Sequence, residues 1–177
     1  IGRMFLAGEG TEQNTPKAIE WLEKAANQNN PFAQYALGKI YFDGEYVPED
    51  LKQAYSWLKK ASDNYHCFAD YILGKMYDEG RGVPKNSNTA DTYYNSALKS
   101  FIKKEAKSKD LMLQNLIARM YYNGLGTEQN YEKAFVYYLK AAEQNDPDAQ
   151  YRIGRMFLAG EGTEQNTPKA IEWLEKA

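Results

Sequence analysis

The sequence predicts an all-α protein, a right-handed α/α superhelical solenoid of antiparallel helix pairs. Three observations carry this. One pattern recurs along the chain at a near-constant period. Its apolar residues follow helical spacing, with no strand-like alternation. Glycine, asparagine and aspartate fall where paired helices must stop, turn and restart.

The recurrence is plain when IGRMFLAG from Ile1, LGKIYFDG from Leu37, LGKMYDEG from Leu73, IARMYYNG from Ile117 and IGRMFLAG from Ile153 are aligned. The starts lie 36, 36, 44 and 36 residues apart. A second block follows each: KAIEWLEKA, QAYSWLKKA, TADTYYNSA, KAFVYYLKA and KAIEWLEKA. Repeats of this length signal stacked supersecondary units. The chain therefore reads as a single repeat array, 1–177, with units 1–36, 37–72, 73–116, 117–152 and 153–177. The first and last are truncated and the third is elongated.

Each unit reads as two helices. In the first, Ala33, Leu37 and Tyr41, then Ala69, Leu73 and Tyr77, stand at i, i+4, i+8. Gly44, Gly80, Gly124 and Gly160 suit its end, because a left-handed residue there costs glycine little. Asp50, Asn86, Asn130, and Asn166 or Thr167 suit the N-cap of the second helix. Pro16 and Pro168 sit just inside second helices, and Pro31 and Pro147 open first helices. In the second helix, Ala54, Trp57, Leu58 and Ala61 form the apolar stripe. Gly38, Gly74 and Gly154 break helix propensity inside the first helix, which implies close approach of a neighbour, with Ala54, Ala90, Ala134 and Ala170 as expected counterparts. Tyr46 stands where the other loops have their second glycine, so that loop is expected to differ.

These residues resemble the Sel-one-like repeat family, a relative of the tetratricopeptide repeats. The stretch AQYALGKIYFDGEYVPEDLKQAYSWLKKAS, residues 33–62, shows the family pattern almost whole. The resemblance implies a non-catalytic scaffold or adaptor that binds a peptide or protein, with no shared catalytic residues. A narrower likeness, through GTEQN and the elongated third unit, is to repeat arrays at the C-terminal ends of bacterial plasmid-mobilisation relaxases. It implies an accessory module of a DNA-mobilisation protein as the alternative.

Composition bounds the partners. With 22 basic and 24 acidic residues the formal net charge is −2, which does not favour nucleic acid or anionic lipid. No apolar run is long enough to span a membrane, and no leader segment is visible. The lone Cys67 rules out an internal disulfide and suggests a reducing compartment, so a cytoplasmic location is expected. The single histidine, His66, stands beside Cys67, and neither metal nor cofactor is expected from so few ligands.

Four features are candidates for function. Arg3, Lys39, Lys75, Arg119 and Arg155 follow the first-helix glycine position in all five units. Stacked, they would form a basic ladder for an acidic partner on the concave side, or simply a solvated face. The recurring Tyr41, Tyr77, Tyr121 and Phe157, and Trp21, Trp57, Tyr93, Tyr137 and Trp173, read as core. Phe42, Tyr46 and Tyr122 lie off that register, need not be buried, and are candidate contact residues. Lys99, Lys103, Lys104 and Lys107 sit in the third-unit insertion, either as a basic patch or as cations complementing a helix C-terminus.

Residues 1–25 and 153–177 are identical. Either a longer natural array repeats a 152-residue block, or one segment has been placed at both ends. In both cases the ends lack the polar outer face of capping repeats, so head-to-tail self-association through the end seams is expected.

Overall fold

The computed structural model describes residues 12–177, and among them it contains nine α-helices and no strand. These are α1 (Thr15–Ala26), α2 (Pro31–Asp43), α3 (Leu51–Asp63), α4 (Cys67–Glu79), α5 (Ser87–Ser108), α6 (Leu111–Asn123), α7 (Tyr131–Ala142), α8 (Pro147–Ala159) and α9 (Thr167–Lys176). The molecule is an all-α helical repeat solenoid. It divides into two compact units, Ile1–Tyr93 and Tyr94–Ala177. Arg3 and the N-terminal end seam lie outside the described residues.

The punctuation acts as its chemistry dictates. Asn14, Asp50, Asn130 and Asn166 each accept a hydrogen bond from the backbone N–H three residues on, at 2.8–3.0 Å. Asn86 does the same for Thr89 N–H at 3.0 Å. The first helices end on Gly44, Gly80, Gly124 and Gly160, with φ between 68° and 70°. Tyr46 is not among the positive-φ residues, so its loop does take another shape. Left-handed non-glycine residues appear instead at the turn between units: Asn29, Tyr65, Lys109 and Asn145, with φ of 62°, 61°, 50° and 62°.

In the first unit the core forms two layers. Leu22, Ala26, Ala33, Leu37, Ile40 and Trp57 make one. Phe42, Ala54, Leu58, Ala61, Ala69, Ile72, Leu73 and Met76 make the other. Gly38 lets α3 close on α2: a Cβ there would lie 2.6 Å from Leu58 Cγ and 3.0 Å from the Leu58 backbone N. The close partner is thus Leu58, one turn beyond the expected Ala54. At Gly154 a Cβ would lie 2.7 Å from Leu174 Cγ and 3.1 Å from the carbonyl oxygen of Ala170, so there the expected alanine is a close neighbour as well.

The extra residues of the elongated repeat continue its second helix. The 22-residue α5 compares with 13 in α3 and 12 in α7. Its inner face buries Ala97, Leu98, Phe101 and Glu105. Glu105 is held there by Gln114 Nε2, which donates to its Oε1 at 2.9 Å, and by Lys140 Nζ at 3.6 Å.

A polar residue recurs in the core at one position of each first helix: Gln34, Asp70, Gln114 and Gln150, all buried. Gln34 Nε2 donates to the Ala26 carbonyl at 3.1 Å, and Gln150 Nε2 to the Ala142 carbonyl at 3.2 Å. Asp70 Oδ1 accepts from the Ser62 hydroxyl at 2.6 Å. Each residue thus bonds a group near the end of the preceding second helix, a backbone carbonyl for Gln34 and Gln150 and a side chain for Asp70 and Gln114.

Candidate functional site

Successive first helices leave a groove between them. In the first unit it is a cleft of about 420 Å³ whose walls include Phe32, Tyr35, Lys39, Tyr46, His66 and Phe68. Helix α2 supplies the first three through its outward positions. Tyr46 comes from the loop after α2, and His66 and Phe68 from the start of α4. The rings form a connected cluster. Tyr35 stacks on His66 with centroids 4.4 Å apart, Phe32 meets the same imidazole edge-on at 5.3 Å, and Phe68 lies 6.0 Å from both Tyr35 and His66.

His66 is there because it departs from a local rule. The N-caps of the four described first helices are Asn30, His66, Asp110 and Asp146. The asparagine and both aspartates accept backbone N–H bonds through their side chains, and His66 makes no such cap. Its ring packs into the aromatic cluster and is 7% exposed. By contrast Phe32 is 70% exposed and Tyr46 38%. A ring so open beside a partly enclosed apolar cleft is the usual form of an anchor site. Tyr65, immediately before His66, is 94% exposed and holds a left-handed φ of 61°, which is strained for an aromatic residue.

The equivalent groove in the second unit has about 590 Å³ and is lined by Met112, Asn115, Leu116, Arg119, Asp146 and Asp148, among others. Position by position these replace Phe32, Tyr35, Ala36, Lys39, His66 and Phe68. One groove geometry thus carries two chemistries, aromatic in the first unit and charged in the second.

The basic positions are placed as follows. Lys39 and Arg119 line the two clefts. Lys39 pairs with Asp43, and that hydrogen bond holds its ammonium above the usual range. Lys75 pairs with Glu79 at 3.7 Å. Arg155 Nη1 donates to the Tyr151 hydroxyl at 3.5 Å, which pulls the Tyr151 phenol down. The lysine members of the ladder are thus locally neutralised rather than bare. Burial pushes the Tyr35 phenol up.

Two aromatic candidates need correction. Phe42 is 4% exposed, because the Arg81 guanidinium covers its ring at 4.1 Å. Arg81 Nη2 also donates to the Phe42 carbonyl and to Glu49 Oε2, both at 2.8 Å. Tyr122 is half-buried: its hydroxyl donates to Glu161 Oε2 at 2.8 Å and its ring meets Tyr131 edge-on at 5.0 Å. Both are spent on packing between repeats. Of the three, only Tyr46 is exposed and lines the cleft.

In the aromatic column of the second helices Trp57 is buried in the core, while Tyr93, Tyr137 and Trp173 are only partly enclosed. Trp21 is 43% exposed. Lys24, Lys60, Lys140 and Lys176 lie over Trp21, Trp57, Tyr137 and Trp173 at 4.1–4.9 Å. Each lysine follows its ring by three residues, one helical turn, so its stem shields the ring while its charge stays wet.

Lys99, Lys103, Lys104 and Lys107 are all exposed on α5. Among the described residues no group of three or more His, Cys, Asp or Glu side chains is arranged to hold a metal ion. No helix among them is long and apolar enough to cross a membrane.

Comparison with known proteins points one way. The Sel1 repeat pattern matches residues 1–30, 31–66, 68–99, 112–146 and 147–177. A Sel1 repeat protein from Oxalobacter formigenes is similar in structure, with a TM-score of 0.71 at 28% identity, over 99% of this chain and 68% of that one. A protective antigen of uropathogenic Escherichia coli with an SLR fold gives a TM-score of 0.61 at 28% identity, over 99% of this chain and 44% of that one. A Klebsiella pneumoniae Sel1 repeat protein shares the fold, with a TM-score of 0.60 at 22% identity over 98% of this chain and 81% of that one. No curated protein matches the chain. The relaxase likeness finds no support among these relatives.

Proposed function

The chain belongs to the Sel1 repeat family, and on that premise we propose that it is a non-catalytic scaffold that holds a peptide or protein segment in the groove between its first helices. The aromatic cleft of the first unit is the anchor. The observation that carries this reading is the pairing of a 70%-exposed Phe32 with a cleft of about 420 Å³ floored by stacked rings. An aromatic or long aliphatic side chain fits that floor, and the Lys39–Asp43 pair at its edge leaves no net charge to repel one.

The test is selection of peptides from a random display library on the immobilised full chain, with Phe32→Ser and Tyr35→Ala variants in parallel. The expected result is enrichment of peptides sharing an aromatic residue, whose affinity falls at least about tenfold on either variant, the loss typical of removing one anchor. Enriched peptides that bind the variants equally well would remove the cleft from the reading. Absence of any enrichment would remove the peptide-binding reading itself.

A further inference from the structure

The outward face of α5 lacks a pairing that five other helices show. On α1, α2, α3, α4 and α9 one lysine finds a carboxylate one turn away: Lys24 with Glu20, Lys39 with Asp43, Lys59 with Asp63, Lys75 with Glu79, and Lys176 with Glu172. In α5, Lys99, Lys103 and Lys107 follow one another at i, i+4 and i+8, and all three are exposed. Like charges at that spacing destabilise a helix. The one carboxylate between Thr92 and Ser108 is Glu105, and it is turned to the buried side, where Gln114 and Lys140 hold it. The stripe therefore has no internal neutraliser on its own helix.

We propose that this stripe docks an acidic helical segment of a protein partner, with carboxylates at the same i, i+4, i+8 spacing. The rise of an α-helix sets the three lysines roughly 6 Å apart along about 12 Å, and a partner helix carrying glutamates at that repeat presents a matching ladder. The residues flanking the lysines on that side are short, the exposed Ser96 and Ala106 and the half-buried Ser100, so a second helix can approach closely. A nucleic acid fits less well. The stripe is short and the whole chain is net acidic. The aromatics of α5 are also not exposed: Tyr94 and Phe101 are buried and Tyr93 is half-buried, so bases have no open ring to stack on. The surface uses none of the cleft residues.

The experiment uses the full chain and an alanine-based helical peptide with glutamates at i, i+4 and i+8. A peptide of equal composition with its glutamates spread around the helix, and a short DNA duplex, serve as comparators. The expected result is binding of the patterned peptide that weakens with added salt. It should fall at least about tenfold in Lys99→Glu/Lys103→Glu/Lys107→Glu, the combined effect of three exposed charge pairs. A Lys24→Glu/Lys59→Glu variant, altered on other helices, should bind as the parent does. Circular dichroism checks that α5 persists. No binding of the patterned peptide, equal binding of the scrambled one, or tighter binding of the duplex with loss in the same triple variant would each overturn the proposal.

Discussion

Replacing Gly38 by alanine sets two effects of known size against each other. In a helix interior alanine is favoured over glycine by about 1 kcal/mol. Against that, the new Cβ would lie 2.6 Å from Leu58 Cγ, 2.9 Å from its Cδ2 and 3.0 Å from its backbone N. Leu58 is fully buried, so its side chain has nowhere to swing, and the backbone contact can be relieved only by moving α3 off α2. Forcing a methyl into so tight a space costs about 1–3 kcal/mol. The net expectation is a loss of up to about 2 kcal/mol, or a fall in Tm of up to about 8 °C for a chain of this size. Urea unfolding followed by tryptophan fluorescence suits the test, since Trp57 neighbours Leu58 on α3. The natural chain supplies a comparison. Ala118 occupies the glycine position in the fourth unit, and the residue equivalent to Leu58 there is Tyr138, so the methyl is tolerated where the branched leucine is absent. Leu58→Ala should accordingly cost less in the Gly38→Ala background than alone, a coupling that a double-mutant cycle measures. A Gly38→Ala protein more stable than its parent, or strictly additive with Leu58→Ala, would refute the close-approach reasoning.

Other perturbations follow from the same contacts. Gly162→Ala should be far worse than Gly38→Ala, since φ is +70° and a Cβ would meet the Tyr131 carbonyl oxygen at 2.1 Å; failure to recover folded protein, or a loss above about 3 kcal/mol, is expected. Tyr65→Asn should stabilise the chain by about 1 kcal/mol, because asparagine tolerates the left-handed turn that tyrosine resists, and thermal melting would show it. Arg81→Lys should destabilise nearly as much as Arg81→Ala, about 1–2 kcal/mol, because an ammonium cannot reproduce two hydrogen bonds and a stacked plane together. Alkaline pH should unfold the protein: Tyr35, Tyr77 and Tyr93 have phenols raised above 10.0, Tyr35 and Tyr93 chiefly by burial and Tyr77 chiefly by its hydrogen bond with Tyr55. The folded state thus favours their neutral forms. Their contribution is complete below pH 10 and is lost as pH rises through the raised values, which tyrosinate absorbance during denaturant titrations at several pH values would track.

What the sequence made legible was local. Caps, glycine stops and first-turn prolines involve residues within a few positions of one another, so spacing alone locates them. Phe42 could not be judged that way, because the guanidinium that covers it belongs to Arg81, one repeat further on. The hydroxyl partner of Tyr122 is equally out of local reach, Glu161 lying 39 residues away. The extra length of the third repeat is visible in the spacing, but the inward turn of Glu105 depends on Gln114 and Lys140 and gives no local sign. The aromatic cleft does carry a signal readable in the sequence. Aligned N-caps run Asn30, His66, Asp110, Asp146, and the odd member marks the spot where a capping side chain has been traded for a ring. The recurring Gln34, Gln114 and Gln150 were likewise visible in the alignment, but only the packing shows that they are buried.

Those glutamines have a consequence for how the protein could be shortened or extended. Gln34 Nε2 reaches back to the last turn of α1, while its Oε1 accepts from Asn64 at the end of α3 at 2.9 Å. The hydrogen-bonded module therefore straddles the sequence motif: it begins in one repeat's second helix, turns on the next repeat's first and closes at the end of that repeat's second. An array trimmed just after a second helix would strand carbonyls that the following glutamine is built to receive. One trimmed after the next first helix would keep the glutamine–carbonyl bond and lose only the Asn64 contact, so a graft of new repeats should be spliced at that later point.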